Sequence, residues 1–213
     1  MTLKQSLLAM CAAATLCGSA LADNSVTYTY SGVVDSDEAD RGWVAFSGQF
    51  TFDRMAIDQI ADLNTGDYKM SGSPYGASVA FDGGAAFSFN DFVDILVSNN
   101  LGGTDQFGVQ GRNVGSSDSL GLTLTDFTQS LFSSDALPLP AGGLTLAMFG
   151  WSELKYESNG GLLSGHLTGL TCTSGCTGEV PLPAVPEPGT WALMLGGMLA
   201  IGGFARRRAS GPR

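Results

Sequence analysis

The residues best suited to chemistry are few. The chain has a single histidine, His166, set in "SGHLTG". Covalent catalysis needs a nucleophile, a base and an orienting group within mutual reach. Serines and aspartates are plentiful, so counting alone leaves a Ser-His-Asp arrangement open, but no G-x-S-x-G elbow accompanies it. Alternation sets His166 opposite Leu167, as an ordinary strand residue. Lys155, near serines, makes no stronger case for a Ser-Lys pair. Among 20 acidic residues, some carboxylate pair will always fall at a glycosidase-like separation. Most of these aspartates end strands or open turns, which is turn chemistry. The expectation is a protein without a catalytic site.

Two further clusters have ligating atoms. "DSDEADRG" at 35–42 is the densest acidic run. Asp35, Asp37, Glu38 and Asp40 supply oxygens that suit a weak Ca²⁺ site. The EF-hand pattern fails, because Ala39 stands at the fifth position and Asp40 at the glycine position; a solvated loop is the simpler reading. Cys172 and Cys176, in "CTSGC", are expected to form a disulfide in an oxidising compartment. A loop this short closes little chain entropy. The glycine pairs at 83–84, 102–103 and 142–143 lack the strand-to-helix setting and lysine of a phosphate loop. No cofactor is expected.

The elements that position these residues read as strands. Short apolar alternations recur at 26–34, 43–52, 76–82, 85–90, 92–98, 106–111, 120–126, 144–151 and 162–170, separated by turn residues. Gly48 suggests a bulge, and "FDGG" at 81–84 a hairpin turn. Residues 53–63 alone have a loose helical spacing, with Asp53 as an N-cap; a loop suits them nearly as well. No helix long enough for a βαβ unit occurs. The predicted fold is all-β, an antiparallel β-sandwich with a jelly-roll-like layout as a variant.

Both ends differ from this body. Residues 1–22 carry Lys4, an apolar run and Ala20-Leu21-Ala22, the layout of a secretory signal peptide. The β-sandwich domain is expected over 23–177 and a proline-rich linker over 178–188. An uncharged span follows at 189–205 and a basic tail at 206–213. Seventeen helical residues cover roughly 25 Å, barely a membrane crossing. Arg206, Arg207 and Arg208 then mark the cytoplasmic side and stop the span, which puts the body outside. Between Asp23 and Glu187, twenty acids face five cations, Arg41, Arg54, Lys69, Arg112 and Lys155, for a net charge of −15. Such a surface repels nucleic acid and anionic lipid.

Pro186-Glu187-Pro188, the uncharged glycine-rich span and the arginine cluster, in that order at the C-terminus, resemble the PEP-CTERM sorting signal. The resemblance implies exosortase, a membrane protease of Gram-negative bacteria, as processing partner. It implies export through the inner membrane to the cell surface or beyond, with only transient anchoring by the tail. It also implies exopolysaccharide or biofilm as the setting. The two prolines keep Glu187 in extended chain, the form a protease binds. The stretch 122–140, a strand ending in Asp, a serine-rich loop and Leu-Pro, is similar to bodies often attached to such tails. The expected function is therefore structural or adhesive, at an exopolysaccharide surface. Exposed members of the set Tyr28, Tyr30, Trp43, Tyr75 and Trp151 would stack on sugars, with core packing the expected role of most of the five. A surface glycan or peptide hydrolase and a calcium-dependent carbohydrate-binding module are the alternatives.

Overall fold

The structure, a computed structural model, describes residues 24–137 and 143–176. The proposed signal peptide, linker, membrane span and basic tail lie outside the described residues, apart from a few positions at the body's own ends. Ten strands run in chain order: β1 Ser25–Asp37, β2 Ala45–Asp53, β3 Thr65–Met70, β4 Gly76–Phe81, β5 Ala86–Phe89, β6 Phe92–Leu101, β7 Thr104–Arg112, β8 Ser119–Asp126, β9 Trp151–Ser158 and β10 Gly161–Ser174. Strands such as β2, β7 and β8 alternate buried with more exposed positions, the two-residue period of a sheet with one face on the core.

All ten belong to one antiparallel sheet, in the order β3-β6-β7-β8-β9-β10-β1-β2-β4-β5. The all-β expectation holds, but the two separately bonded sheets of a sandwich are replaced by a single curled sheet, a half-barrel. The cause lies where β1 meets β10. Their ladder shifts register at Thr27/Tyr28, Ser31/Gly32 and Val34/Ser36, with Thr173 and Thr168 as the extra residues on β10 and Asp35 on β1. Each bulge adds a residue on one side and bends the strand, so the sheet curls around the core.

Aromatic contacts join parts of the sheet that are distant in strand order. Tyr28 stacks on Phe50 at 5.1 Å, and Phe50 reaches Phe107 of β7 at 6.1 Å. Phe87 and Phe81 meet Tyr156 of β9 at 4.7 and 5.5 Å. Burial of such rings supplies both the apolar area and the ring-to-ring geometry that hold the curl.

Several local expectations are corrected. Residues 53–63 form no helix: Asp53, Asp58 and Asp62 each accept the amide two residues on, from Met55, Ile60 and Asn64. These side-chain turns outcompete helical bonding. The strand expected at 144–151 is a 3-10 turn at Leu146–Met148, and strand begins only at Trp151. The Leu144 amide is taken by the Tyr28 hydroxyl at 2.8 Å, and that of Gly150 by the Thr125 carbonyl at 2.9 Å. β3 was not anticipated, because "TGDYKM" has little of the expected alternation. Gly48 sits in an unbroken ladder between Tyr30 and Val79 and makes no bulge. The Tyr30 ring crosses it so that its hydroxyl can donate to the Ser78 carbonyl at 2.8 Å. The 81–84 hairpin turn is present, closed by Gly84 N to Phe81 O at 2.9 Å.

Candidate functional site

A fork between two strands opens the outer face of the sheet. β9 and β10 pair from Gly161↔Ser158 to Gly165↔Leu154 and then part. Residues Trp151, Ser152 and Glu153 stay on β8, opposite Thr125, Leu124 and Thr123. β10 continues along β1 instead. The Leu167 amide, which loses its β9 carbonyl at the fork, donates to Ser152 Oγ at 3.1 Å. That bond meets the requirement that a half-buried amide find a partner while leaving the fork open. The result is a concavity of about 410 Å³.

His166 and Asp35 form one wall. The Val34/Ser36 register shift leaves Asp35 outside the ladder, and its carboxylate turns to His166 Nδ1, 2.9 Å from both oxygens. Both side chains are about half exposed, at 50% and 52%. An acid orienting an imidazole makes two parts of a triad. The third part is missing from this geometry. Ser152 Oγ is engaged by Leu167, and Ser164 Oγ bonds Ser36 Oγ at 2.8 Å. Opposite stand Glu153 and Trp151; the indole is 44% exposed. Most of the five aromatics pack as expected: Tyr28 and Tyr30 are core residues, and Trp43 stacks on Phe81 at 4.3 Å. Tyr75 donates its hydroxyl to Asp53 Oδ2 at 3.1 Å. Trp151 alone of the five is an exposed large aromatic. An apolar plane beside carboxylates, imidazole and hydroxyls suits a ligand with both an apolar face and many hydroxyls.

The acidic run does not converge on one point. Asp35 faces His166. Asp37 pairs with Arg41 and accepts the amides of Ala39 and Arg41, at 3.2 and 2.6 Å. Glu38 accepts the Leu162 amide at 3.0 Å. Asp40 takes a left-handed φ of 49°. Arg41 also bonds Ser158 Oγ at 2.9 Å and lies 5.2 Å from the Trp43 ring centroid. The run therefore pins its loop to the β9–β10 hairpin. Among the described residues, no group of three or more His, Cys, Asp or Glu is placed to hold a metal ion. Cys172 and Cys176 are disulfide-bonded at the end of β10, with Cα atoms 5.9 Å apart.

Sequence reasoning missed a pair of buried aspartates at one end of the sheet. Asp105 and Asp126 face each other across β7 and β8. Asp105 accepts the amides of Asn100, Leu131 and Phe132 at 2.8, 3.0 and 2.9 Å. Asp126 accepts the Thr128 hydroxyl at 2.7 Å and the amides of Thr128 and Ser130. The Thr128 hydroxyl and amide hold the Asp126 carboxyl below the usual carboxylate range. The "TDFTQS" pattern of Asp followed by Thr and Ser was the available signal.

Pro186, Glu187, Pro188, Arg206, Arg207 and Arg208 lie outside the described residues. Among the described residues, no helix is long and apolar enough to cross a membrane. Comparison with known families places a PEP-CTERM protein-sorting motif at residues 184–209. No curated protein and no solved structure matches the chain. The motif marks an exported protein processed by exosortase.

Proposed function

From a chain that carries a PEP-CTERM sorting motif, we propose a non-enzymatic, cofactor-free surface or matrix protein. Its β-sheet body would be left outside the cell and hold extracellular polysaccharide, in a structural or adhesive role. The sorting motif at 184–209 is the observation that carries the reading. The net charge of −15 between Asp23 and Glu187 favours solubility and a non-acidic partner. Exposed Trp151 at the strand fork offers a stacking plane for sugar rings.

Intact-mass measurement of the protein recovered from its native surface tests the export half. The expected species lacks residues 1–22 and the arginines at 206–208. Recovery of the full-length chain as a permanent inner-membrane resident overturns it. Replacing Pro186 and Glu187 with alanine is expected to leave the basic tail attached. For the partner half, the processed protein is expected to co-sediment with the host's extracellular polysaccharide, and Trp151→Ala to lose that association.

One observation favours a second reading. The His166–Asp35 pair stands in a concavity, as a surface hydrolase requires. Hydrolysis of glycans or peptides by the processed protein, abolished in His166→Ala, would select that reading.

A further inference from the structure

The outer face of the sheet is built in cross-strand rows that can be followed from the register. One row runs Thr65–Ser98–Gln106–Thr125–Trp151, the next Asp67–Leu96–Gly108–Thr123–Glu153. A third runs Lys69–Asp94–Gln110–Gly121–Lys155–Ser164. Residues directly opposite in a ladder share a face, so each row is a line of neighbouring side chains. In the middle of the second and third rows stand two glycines on adjacent strands, Gly108 and Gly121. They leave a trough of about 280 Å³ across β6 to β9. Glu153 lines both this trough and the Trp151–His166 concavity, so the two adjoin at that residue. From β6 to β10 are four strand spacings, roughly 19 Å at ~4.8 Å each.

Packing does not require the second glycine. A Cβ on Gly121 would meet only Lys155 Cβ, at 4.0 Å, whereas one on Gly108 would press on Leu96 Cβ at 3.3 Å. Glycine inside a strand costs stability and often marks a bulge, a tight bend or close approach by a ligand or another backbone; the β7–β8 ladder runs unshifted through Gly121, so it makes no bulge there. Beside Leu96 and the Glu153–Lys155 pair, the polar side chains along the trough, Thr65, Ser98, Gln106, Gln110 and Thr123, are neutral hydrogen-bonding groups. Gln110 and Thr123 make no side-chain hydrogen bond among the described residues, so their amide and hydroxyl face solvent with donors and acceptors free. The charges beside them cancel, because Lys155 Nζ pairs with Glu153 at 2.9 Å.

We propose that this glycine-floored trough, which adjoins the Trp151 concavity at Glu153, binds one chain of a neutral polysaccharide laid across the strands. The inference rests on the polysaccharide half of the function proposed above and names the site and ligand class. An added peptide strand is a poor occupant: the sheet edges are β3 and β5, while the backbone from β6 to β9 is already spent in ladders. A polyuronate would meet a body of the same sign.

The test is Gly121→Val in the exported, processed protein. Valine fills the trough and suits a strand, so the melting temperature should stay equal or rise. The wild type should retain at least one neutral oligosaccharide from an array of glucans, mannans and chitin oligomers, and no oligogalacturonate. The variant should bind that sugar at least about tenfold more weakly. Should the valine variant not fold, Gln110→Ala/Thr123→Ala is expected to weaken binding in the same way. Undiminished binding by the folded variants overturns the inference and leaves the polysaccharide reading standing with its site elsewhere. Binding of oligogalacturonate alone overturns the neutral ligand class. Failure to hold any sugar of the array, neutral or acidic, overturns both, while the termini decide the export reading independently.

Discussion

Replacing Asp105 with alanine should release the segment that follows β8 from the end of the sheet. Asp105 is fully buried, at 0% exposure, and its two carboxylate oxygens accept three backbone amides, from Asn100, Leu131 and Phe132. An amide left unpaired in a buried site costs about 1–3 kcal/mol. The segment around Leu131 and Phe132 can lift and re-solvate its amides, so the low end of that range applies, about 1 kcal/mol for each of the three. The total is about 3 kcal/mol. For a body of this size ~1 kcal/mol moves Tm by about 2–4 °C, which predicts a fall of roughly 6–12 °C. Asp105→Asn should be milder, because its amide can turn its oxygen to the two donors of Leu131 and Phe132 and lose only the Asn100 bond. Calorimetric melts at neutral pH measure the shift. Hydrogen exchange locates it: the Leu131 and Phe132 amides should lose protection while the β7–β8 ladder keeps its own. A Tm within ~3 °C of wild type, or protection lost evenly across the sheet, would refute the reasoning.

Other outcomes follow from the same structure. Gly48→Ala would place a Cβ 2.1 Å from the Ser78 carbonyl oxygen and 2.4 Å from the Tyr30 hydroxyl; overpacking of that kind costs about 1–3 kcal/mol, and an unchanged urea midpoint would show that Tyr30 does not cross the glycine. The Asp126 carboxyl, held low by Thr128, contributes stability above the unfolded value near ~3.9, and that contribution is lost as pH falls through its lower folded value; in acid titrations of stability, Asp126→Asn should flatten this part of the curve. Asp94 has the opposite sign, since burial and the neighbouring Asp67 push its carboxyl up. The folded state therefore penalises its charged form and is relieved as pH falls through that raised value. Asp94→Asn should accordingly equal or exceed the wild type at neutral pH, with the gap closing on acidification; a less stable variant at pH ~7 would show that the Arg112 contact dominates. Removing both Cys172 and Cys176 as serines should lower stability by about 2 kcal/mol, the loop-closure value for so short a ring, which urea unfolding under non-reducing conditions will measure.

The all-β class was legible in the chain because a half-buried strand writes its period directly into sequence, as in "VTYTYSGVV" of β1 and "LGLTLTD" of β8. The Cys172–Cys176 bond followed from spacing and compartment, and the sorting motif from residue types in fixed order. Those features are local, and neighbouring residues suffice to specify them. The single curled sheet was not legible, because it depends on bulges in the ladder between β1 and β10, strands more than a hundred residues apart. The same distance hid the site. Asp35 meets His166 only because a bulge turns it out of the ladder, and Trp151 joins them only because β9 leaves β10 after Leu154. Gly121 read only as one residue of the strand expected at 120–126 until the cross-strand rows showed an open floor above it. Residue chemistry along the chain determined what the parts are; pairing at long range decided which of them stand together, because a ladder's register depends on both of its strands.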